Sequence, residues 1–221
     1  MIFFIVFAGW IISLCIHEFS HAFVAYLGGD SSVHQKGYLT LNPINYIHPV
    51  YSILMPMIFL VMGGLGLPGG AVHIEHNRLR SKTWDSAVSL FGPLSNLFLA
   101  VILAAILKFA PTDAKGIWPS VAFLGALQVS AVVLNFLPVP PLDGYGILSP
   151  YMKPKLRYKL DQMGQWSIWI LFLALGFLPQ VNEFFWRAVW FICERLGVSP
   201  QLAWEGYEQF RSVMQLLPRQ F

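Results

Sequence analysis

The sequence predicts an all-α polytopic membrane protein with four to six transmembrane helices and a re-entrant or short-strand element between the first and second full spans. Its composition supports this class, because 56% of the residues are hydrophobic and only 11% are charged, whereas a soluble domain carries about 25% charged residues. Several apolar stretches also approach the roughly 20 residues that a helix needs to cross the hydrocarbon core. The net charge of +3 is small and dispersed, which argues against a nucleic-acid partner.

The apolar stretches predict where the spans lie. Residues 3–27, 86–108 and 117–137 are each long enough to cross a bilayer as a helix. Residues 50–67 are at the lower limit of length, and a proline and several glycines interrupt them. This segment therefore predicts a tilted span or a re-entrant element that lines a protein cavity. Before it, the Leu-Thr-Leu stretch at residues 39–41 predicts a short strand.

The sequence divides into a predicted core of residues 1–160 and a C-terminal addition of residues 161–221. Within the addition, residues 166–178 favour a further span, and residues 181–196 fit either a last span or a helix in the membrane interface. Residues 202–221 mix aromatic and charged side chains. That mixture is typical of an amphipathic helix on the membrane surface.

The first predicted span carries an H-E-x-x-H pattern at His17, Glu18 and His21. Glu18 is the only formally charged side chain in residues 1–27, and a carboxylate at bilayer depth costs roughly 2.5–3.5 kcal/mol on insertion scales. Residues four apart share one face of a helix, so both imidazoles can bind one metal ion while Glu18 lies beside them as a base. The alternative is a chance match with two histidines satisfied in a helical core, which leaves the buried charge without a partner.

A second informative stretch runs from Asn135 to Gly144, and prolines occupy three of the four positions 138–141. Prolines cannot continue a helix, which predicts an unwound, extended backbone that a membrane tolerates only where it lines a cavity. Asp143 follows this break, and we assign it as the third metal ligand, because two histidines, one carboxylate and an open position form a catalytic zinc set. The alternative is that Asp143 is the N-cap of the next helix. Gly144 permits an unusual backbone angle or a close approach.

A rival set of candidate ligands lies between the predicted spans. His73, Glu75 and His76 are close in sequence and carry metal-binding side chains. They belong to a polar loop of residues 71–85 that also holds several basic residues. Because this loop lacks the apolar surroundings of the first set, we interpret the three residues as loop side chains rather than ligands.

Together these stretches resemble the site-2 protease family of intramembrane zinc metalloproteases. The resemblance rests on the following residues: His17-Glu18-Phe19-Ser20-His21, Gly92-Pro93-Leu94-Ser95-Asn96, and Asn135 to Gly144. Their order and spacing match the small bacterial branch without a PDZ or CBS domain, over about residues 1–160. The resemblance implies one zinc ion per chain, held by His17, His21 and Asp143. It also implies that Glu18 is the catalytic base.

The resemblance further implies a function. Members of this family hydrolyse peptide bonds within or next to transmembrane segments of membrane-anchored proteins, often to release a signalling factor. The expected partners are therefore a transmembrane protein substrate and the lipid bilayer. We expect Asn135 or Asn96 to donate a hydrogen bond to the oxyanion, and an unwound substrate to pair with the backbone of residues 138–141 or 39–41.

The topology follows from the predicted ligands. For Asp143 to meet His21, the chain must return to the side of the bilayer where the first span ends. Residues 86–108 and 117–137 supply two crossings, so residues 50–67 are expected to dip into the membrane and return. The basic residues of the segments that then share the metal's side predict, by the positive-inside rule, an active site toward the cytoplasm of a bacterial plasma membrane.

Two other functions fit the same residues. A catalytically silent scaffold of the same fold would hold substrates or zinc without cleaving them, although an intact Glu18 argues against it. A zinc transporter would also use intramembrane histidine and aspartate side chains. It would need several metal sites along a path, whereas the sequence offers one clear cluster.

Overall fold

The computed structural model describes residues 2–45 and 72–216, and the predicted re-entrant segment of residues 50–67 lies outside them. The described residues form α-helices and short 3-10 turns without a β-strand, which confirms the all-α class. The helices are α1 (Ile2–Gly28), α2 (Ser32–Gln35), α3 (Lys82–Leu107), α4 (Trp118–Asn135), α5 (Asp143–Leu148), α6 (Pro154–Phe177), α7 (Pro179–Leu196) and α8 (Pro200–Leu216).

Helices α1, α3 and α4 are long and apolar enough to cross a membrane. They coincide with the predicted spans, although α3 begins earlier, because the Ser81 side chain accepts a hydrogen bond from the Trp84 N–H and caps the helix. The end of α6, from Trp166, and all of α7 form a pair bent by 92°, which makes a fourth span if the pair is counted as one. The described residues thus give three or four spans, and four is the lower end of the predicted range.

Helix α4 is enclosed by other helices. Most of its residues are buried within the protein, whereas α1 and α3 leave apolar side chains exposed, as at Phe4 and Phe98. Helix α8 packs across α4 and α1 through a cluster that includes Phe210, Leu127 and Trp10. Because a Cβ on Gly206 would lie 2.0 Å from the Pro119 carbonyl oxygen, α8 approaches the start of α4 at backbone distance. Helix α4 therefore contributes little to the apolar surface, which belongs to α1 and α3 and also to α6 and α7, as at Ile170 and Phe184.

The strand predicted at residues 39–41 is wrong, because this stretch is an irregular turn. Side chains complete the turn: the Asn45 amide donates to the Gly37 carbonyl at 2.7 Å and to the Thr40 hydroxyl at 3.0 Å. Gly37 has a φ of +75°, a left-handed angle that reverses the chain. The local bonds thus curl the backbone, so it offers no extended edge for a substrate.

The extended backbone predicted for residues 138–141 is also wrong. The connection from α4 to α5 is a series of tight turns, in which the Val139 N–H donates to the Leu137 carbonyl and the Leu142 N–H to the Val139 carbonyl, both at 2.8 Å. The peptide bond between Pro140 and Pro141 is cis. Prolines lack an N–H, so the few remaining donors bond carbonyls two or three residues back. The break brings α5 against α3 rather than forming a strand-like edge.

Buried Asp30 fixes the segment that precedes α3 to the end of α1. One carboxylate oxygen accepts from the Ser32 N–H at 3.0 Å, and the other accepts from the Glu75 N–H at 2.8 Å. The Arg80 N–H donates to the Gly28 carbonyl at 2.9 Å. These bonds hold residues 72–75 beside the helix that carries the H-E-x-x-H pattern.

We expect Asp30→Ala to destabilise the protein, because it leaves two backbone N–H groups without their acceptor in a fully buried position. The loss should be about 1–3 kcal/mol of unfolding free energy per unpaired group. It can be measured as a lower thermal unfolding midpoint of the detergent-purified protein. Asp113→Ala removes a carboxylate that is 78% exposed and should leave the midpoint unchanged; equal midpoints for both variants would contradict the assigned role.

Candidate metal centre

His17, His21 and Asp143 meet at one point. The His17 Nε2 and His21 Nε2 atoms are 3.0 Å apart. The His17 Nε2 lies 3.3 Å from the Asp143 Oδ2, and the His21 Nε2 lies 3.3 Å from the Asp143 Oδ1. A tetrahedral zinc ion with bonds of about 2.0–2.1 Å has ligand atoms about 3.3 Å apart. One ligand atom from each of the three side chains lies within 4.8 Å of the other two, so the set is close enough to hold one metal ion, and among the residues that the structure describes no other group of this kind comes together.

The second nitrogen of each imidazole has a hydrogen-bond acceptor. The His17 Nδ1 lies 2.6 Å from the Asn96 Oδ1, and the His21 Nδ1 lies 2.7 Å from the Val88 carbonyl oxygen. An Nδ1–H that donates to an oxygen leaves the Nε2 lone pair available for a metal. Both rings are thus held in the tautomer that a metal site requires, so the donor set fits a bound metal ion.

Gly92 allows the imidazoles to lie against the backbone of α3. A Cβ at this position would be 2.2 Å from the His21 Nε2 and 2.8 Å from the His17 Cε1. Both distances are far shorter than a non-bonded contact allows. A residue without a side chain is therefore needed at this point, where the first span crosses the second.

The turn after α4 delivers Asp143 to the imidazoles. The N-cap of α5 is Leu142, and Asp143 is the first helical residue, so the alternative role of Asp143 as the cap does not apply. A Cβ on Gly144 would lie 2.4 Å from the Phe136 carbonyl oxygen. This is the close approach predicted for Gly144, and it folds α5 back onto the end of α4.

Glu18 lies beside this cluster and is buried, with 4% of its surface exposed. Its Oε2 accepts a hydrogen bond from the Val72 N–H at 3.1 Å. Glu18 and the three candidate ligands line one cavity of about 670 Å³. Asn135 lies at the C-terminal end of α4, is 2% exposed and lines the same cavity.

The structure gives Asn96 a different role from the predicted one. Its Oδ1 faces His17, and its Nδ2 donates to the Gln128 Oε1 at 3.0 Å. Both ends of the amide are engaged, so in the structure Asn96 orients the His17 ring and its Nδ2 is not free to donate elsewhere. Asn135 lines the cavity beside Glu18, and it therefore remains the candidate for the predicted donor to the oxyanion.

Comparison with known proteins identifies relatives that match most of the chain. A protein of Mycolicibacterium smegmatis is 43% identical over 93% of this chain and 79% of its own length, and one of Mycobacterium tuberculosis is 44% identical over the same shares. Both are named "Putative zinc metalloprotease Rip2". The chain belongs to the site-2 protease family. A Bacillus subtilis member with the same description and the name YwhC is 36% identical over 80% of this chain and 81% of its own length. No family model and no solved structure gives a match.

The rival candidate ligands, His73, Glu75 and His76, do not come together at one point in the structure. The His76 Nδ1 pairs with the Asp85 carboxylate at 2.6 Å. Glu75 forms ion pairs with Lys36, at 3.1 Å, and with Arg78. These two cations lower the pKa of the Glu75 carboxyl below its ordinary value. The side chains are therefore committed to loop contacts, in agreement with the interpretation as loop residues.

A polar group from α6 forms the opposite wall of the cavity. The Tyr145 hydroxyl donates to the Asp161 carboxylate at 2.5 Å, and Arg157 lies 3.9 Å from the same carboxylate. Burial, followed by the bond to Asp161, raises the pKa of Tyr145 to about 12. Tyr145 thus stays protonated and ties α5 to α6 beside Asp143.

The sequence alone does not predict the roles of Gly92 and Gln128. In the sequence around Gly92, the neighbouring proline and asparagine are the conspicuous residues. The need for a glycine becomes apparent only in the fold, where α1 crosses α3 at this point. Gln128 is a polar exception in an apolar span, and that is the signal that could have pointed to it. The partner of such a residue lies 32 positions away, beyond the reach of local spacing.

We expect Gly92→Ala to lower the affinity for a divalent metal by at least about tenfold, because the added methyl group displaces both imidazoles. Competition with a chromophoric chelator measures this affinity on the purified protein. Gly176→Ala is the matched control, since it also adds a methyl group to a transmembrane-length helix but meets no atom within 4 Å. Unchanged metal affinity in Gly92→Ala would contradict the close contact.

Proposed function

We propose that this protein is an intramembrane zinc metalloprotease that hydrolyses peptide bonds within or next to transmembrane segments of membrane-anchored proteins. The observation that carries the proposal is the convergence of Asp143 with His17 and His21, which lie with Glu18 on a membrane-length helix. The names of its relatives support zinc and proteolysis. The position of His17, Glu18 and His21 within the apolar, membrane-length helix α1 supports a substrate that is itself in the membrane.

We assign one zinc ion per chain to His17, His21 and Asp143. Two imidazole nitrogens and one carboxylate leave one coordination position open in a tetrahedral site, which is the pattern of catalytic rather than structural zinc. When bound, zinc supplies Lewis acidity toward a water molecule and a peptide carbonyl. All three ligands line the cavity, so the open position is accessible to a substrate that enters it.

Glu18 acts as the proton carrier of the reaction. The Val72 N–H holds the carboxylate at Oε2 and so fixes the plane of the group within the cavity. From there Glu18 takes a proton from the attacking water and passes it to the nitrogen of the leaving strand. Asn135, which is buried and lines the same cavity, is the proposed side-chain donor to the oxyanion.

The proposed substrate is a transmembrane segment that unwinds locally before cleavage, since helical hydrogen bonds otherwise occupy its carbonyls. The proposed location is the plasma membrane of a bacterium, with the site open to the cytoplasm. Basic residues support this orientation, because the two segments that flank the site are rich in them. They are Arg78, Arg80, Lys82, Lys153, Lys155, Arg157 and Lys159.

We expect Glu18→Gln to abolish proteolysis and to retain zinc, because the substitution removes the base but none of the ligands. The rate should fall by about 10²–10⁴-fold, which is the usual contribution of a general base. Mass spectrometry of membranes can compare cells that produce the wild type with cells that produce Glu18→Gln. Juxtamembrane and intramembrane fragments should be present only with the wild type, and intact substrates should accumulate with the variant.

We expect His17→Ala to lose the zinc as well as the proteolysis, because a ligand is removed. Elemental analysis of the purified protein measures the zinc content directly. A stoichiometric zinc content in His17→Ala would refute the ligand assignment, and normal cleavage by Glu18→Gln would refute its role as base. Retained zinc in both the wild type and Glu18→Gln, without cleavage by either, would instead favour the scaffold function.

A further inference from the structure

We infer that Gln128 is a positioning residue for the zinc site: its side-chain carbonyl fixes the amide of Asn96, which in turn fixes the tautomer of His17. The inference rests on the proposed function, because it takes His17 to be a zinc ligand. Gln128 touches neither zinc nor substrate in this scheme. It acts through two other side chains.

The three residues form a continuous chain of hydrogen bonds across three helices. The Gln128 Oε1 on α4 accepts from the Asn96 Nδ2 on α3 at 3.0 Å, and the Asn96 Oδ1 accepts from the His17 Nδ1 on α1 at 2.6 Å. Gln128, Asn96 and His17 are 2%, 6% and 5% exposed. At this burial each polar atom depends on its protein partner, because an unpaired buried donor or acceptor costs about 1–3 kcal/mol.

The orientation of the Asn96 amide decides whether His17 can bind a metal. With Oδ1 toward His17, the ring keeps its proton on Nδ1 and presents a lone pair at Nε2. With the amide turned over, Nδ2 would face the ring, Nδ1 would have to accept, and the proton would move to Nε2. A protonated Nε2 cannot be a ligand.

The Gln128 carbonyl selects the first orientation. Its Oε1 can only accept a hydrogen bond, so it requires the Nδ2 end of Asn96 and directs the Oδ1 end to His17. The position of Gln128 in an apolar helix supports a role of this kind, because a polar side chain in a membrane span is costly and marks a function. The same helix leads at its C-terminal end to the turn that carries Asp143, so α4 supports two of the three ligands.

The test compares two substitutions of similar size. Gln128→Glu keeps a carbonyl or carboxylate oxygen that accepts, and should leave zinc affinity within about threefold of the wild type. Gln128→Leu removes the acceptor and should lower zinc affinity by about tenfold. Loss of a hydrogen-bond partner that orients a metal ligand lowers metal affinity by about 10–100-fold, and this residue acts through one further side chain. Ser130→Ala is the control on the opposite face of α4, where the hydroxyl donates to the Leu127 carbonyl, and should have no effect.

The readouts are zinc affinity, by chelator competition, and the visible absorption spectrum of the Co²⁺-substituted protein. Both report on the ligand field of the metal without requiring proteolysis. Gln128→Leu should alter the Co²⁺ spectrum, and Gln128→Glu should preserve it. Thermal unfolding of each variant checks that the helices remain assembled.

A second background separates the proposed role from a general packing effect. In Asn96→Asp both ends of the side chain are acceptors, so no orientation presents a donor to His17 and the acceptor of Gln128 is no longer needed. Gln128→Leu should then change zinc affinity by less than about threefold, whereas a packing defect would cost the same in both backgrounds. An equal loss in the two backgrounds, or no loss in Gln128→Leu alone, would overturn the inference.

Failure of this inference can be told from failure of the proposed function. If His17→Ala abolishes zinc binding while Gln128→Leu leaves affinity and spectrum unchanged, the zinc site stands and only the role of Gln128 falls. If His17→Ala binds zinc normally, the ligand assignment itself falls, and the inference falls with it.

Discussion

The structure depends on holding two imidazoles and a carboxylate close together where there is little water to solvate them. His17, Glu18 and His21 are nearly fully buried, and their helix is otherwise apolar. Each of these side chains has a protein partner: Asn96 for His17, the Val88 carbonyl for His21 and the Val72 N–H for Glu18. The desolvation cost is therefore offset by directed hydrogen bonds, and each bond also fixes the orientation of a side chain.

Close backbone contact makes this possible. At Gly92 the imidazoles lie directly on α3, and at Gly144 the start of α5 touches the carbonyls that end α4. Gly146 adds a third contact, since a Cβ there would lie 2.3 Å from the Ser89 hydroxyl. In a membrane, small residues allow helices to approach and pack without a hydrophobic driving force between them. Here the same contacts bring His17 and His21 of α1 close to Asp143 of α5, although they are far apart in the sequence.

The sequence was informative where the signal was local. The apolar stretches predicted α1, α3 and α4, and the spacing of His17 and His21 placed two rings on one helix face. Asp143 stood out because an acid directly after a proline break in an apolar span is costly unless it serves a function. The strand at residues 39–41 failed because side-chain bonds from Asn45 curl the turn, and a three-residue pattern cannot reveal them. The hydrogen bonds of Asn96 could not be predicted, because its two partners lie on other helices.

The separation of the ligands along the chain sets an order of events during biosynthesis. Asp143 is 122 residues beyond His21, so the two imidazoles are synthesised long before the acid that meets them in the folded protein. Helix α8, which encloses α4, is made later still. A nascent chain therefore carries an incomplete site until Asp143 and the helices packed around α4 have been made.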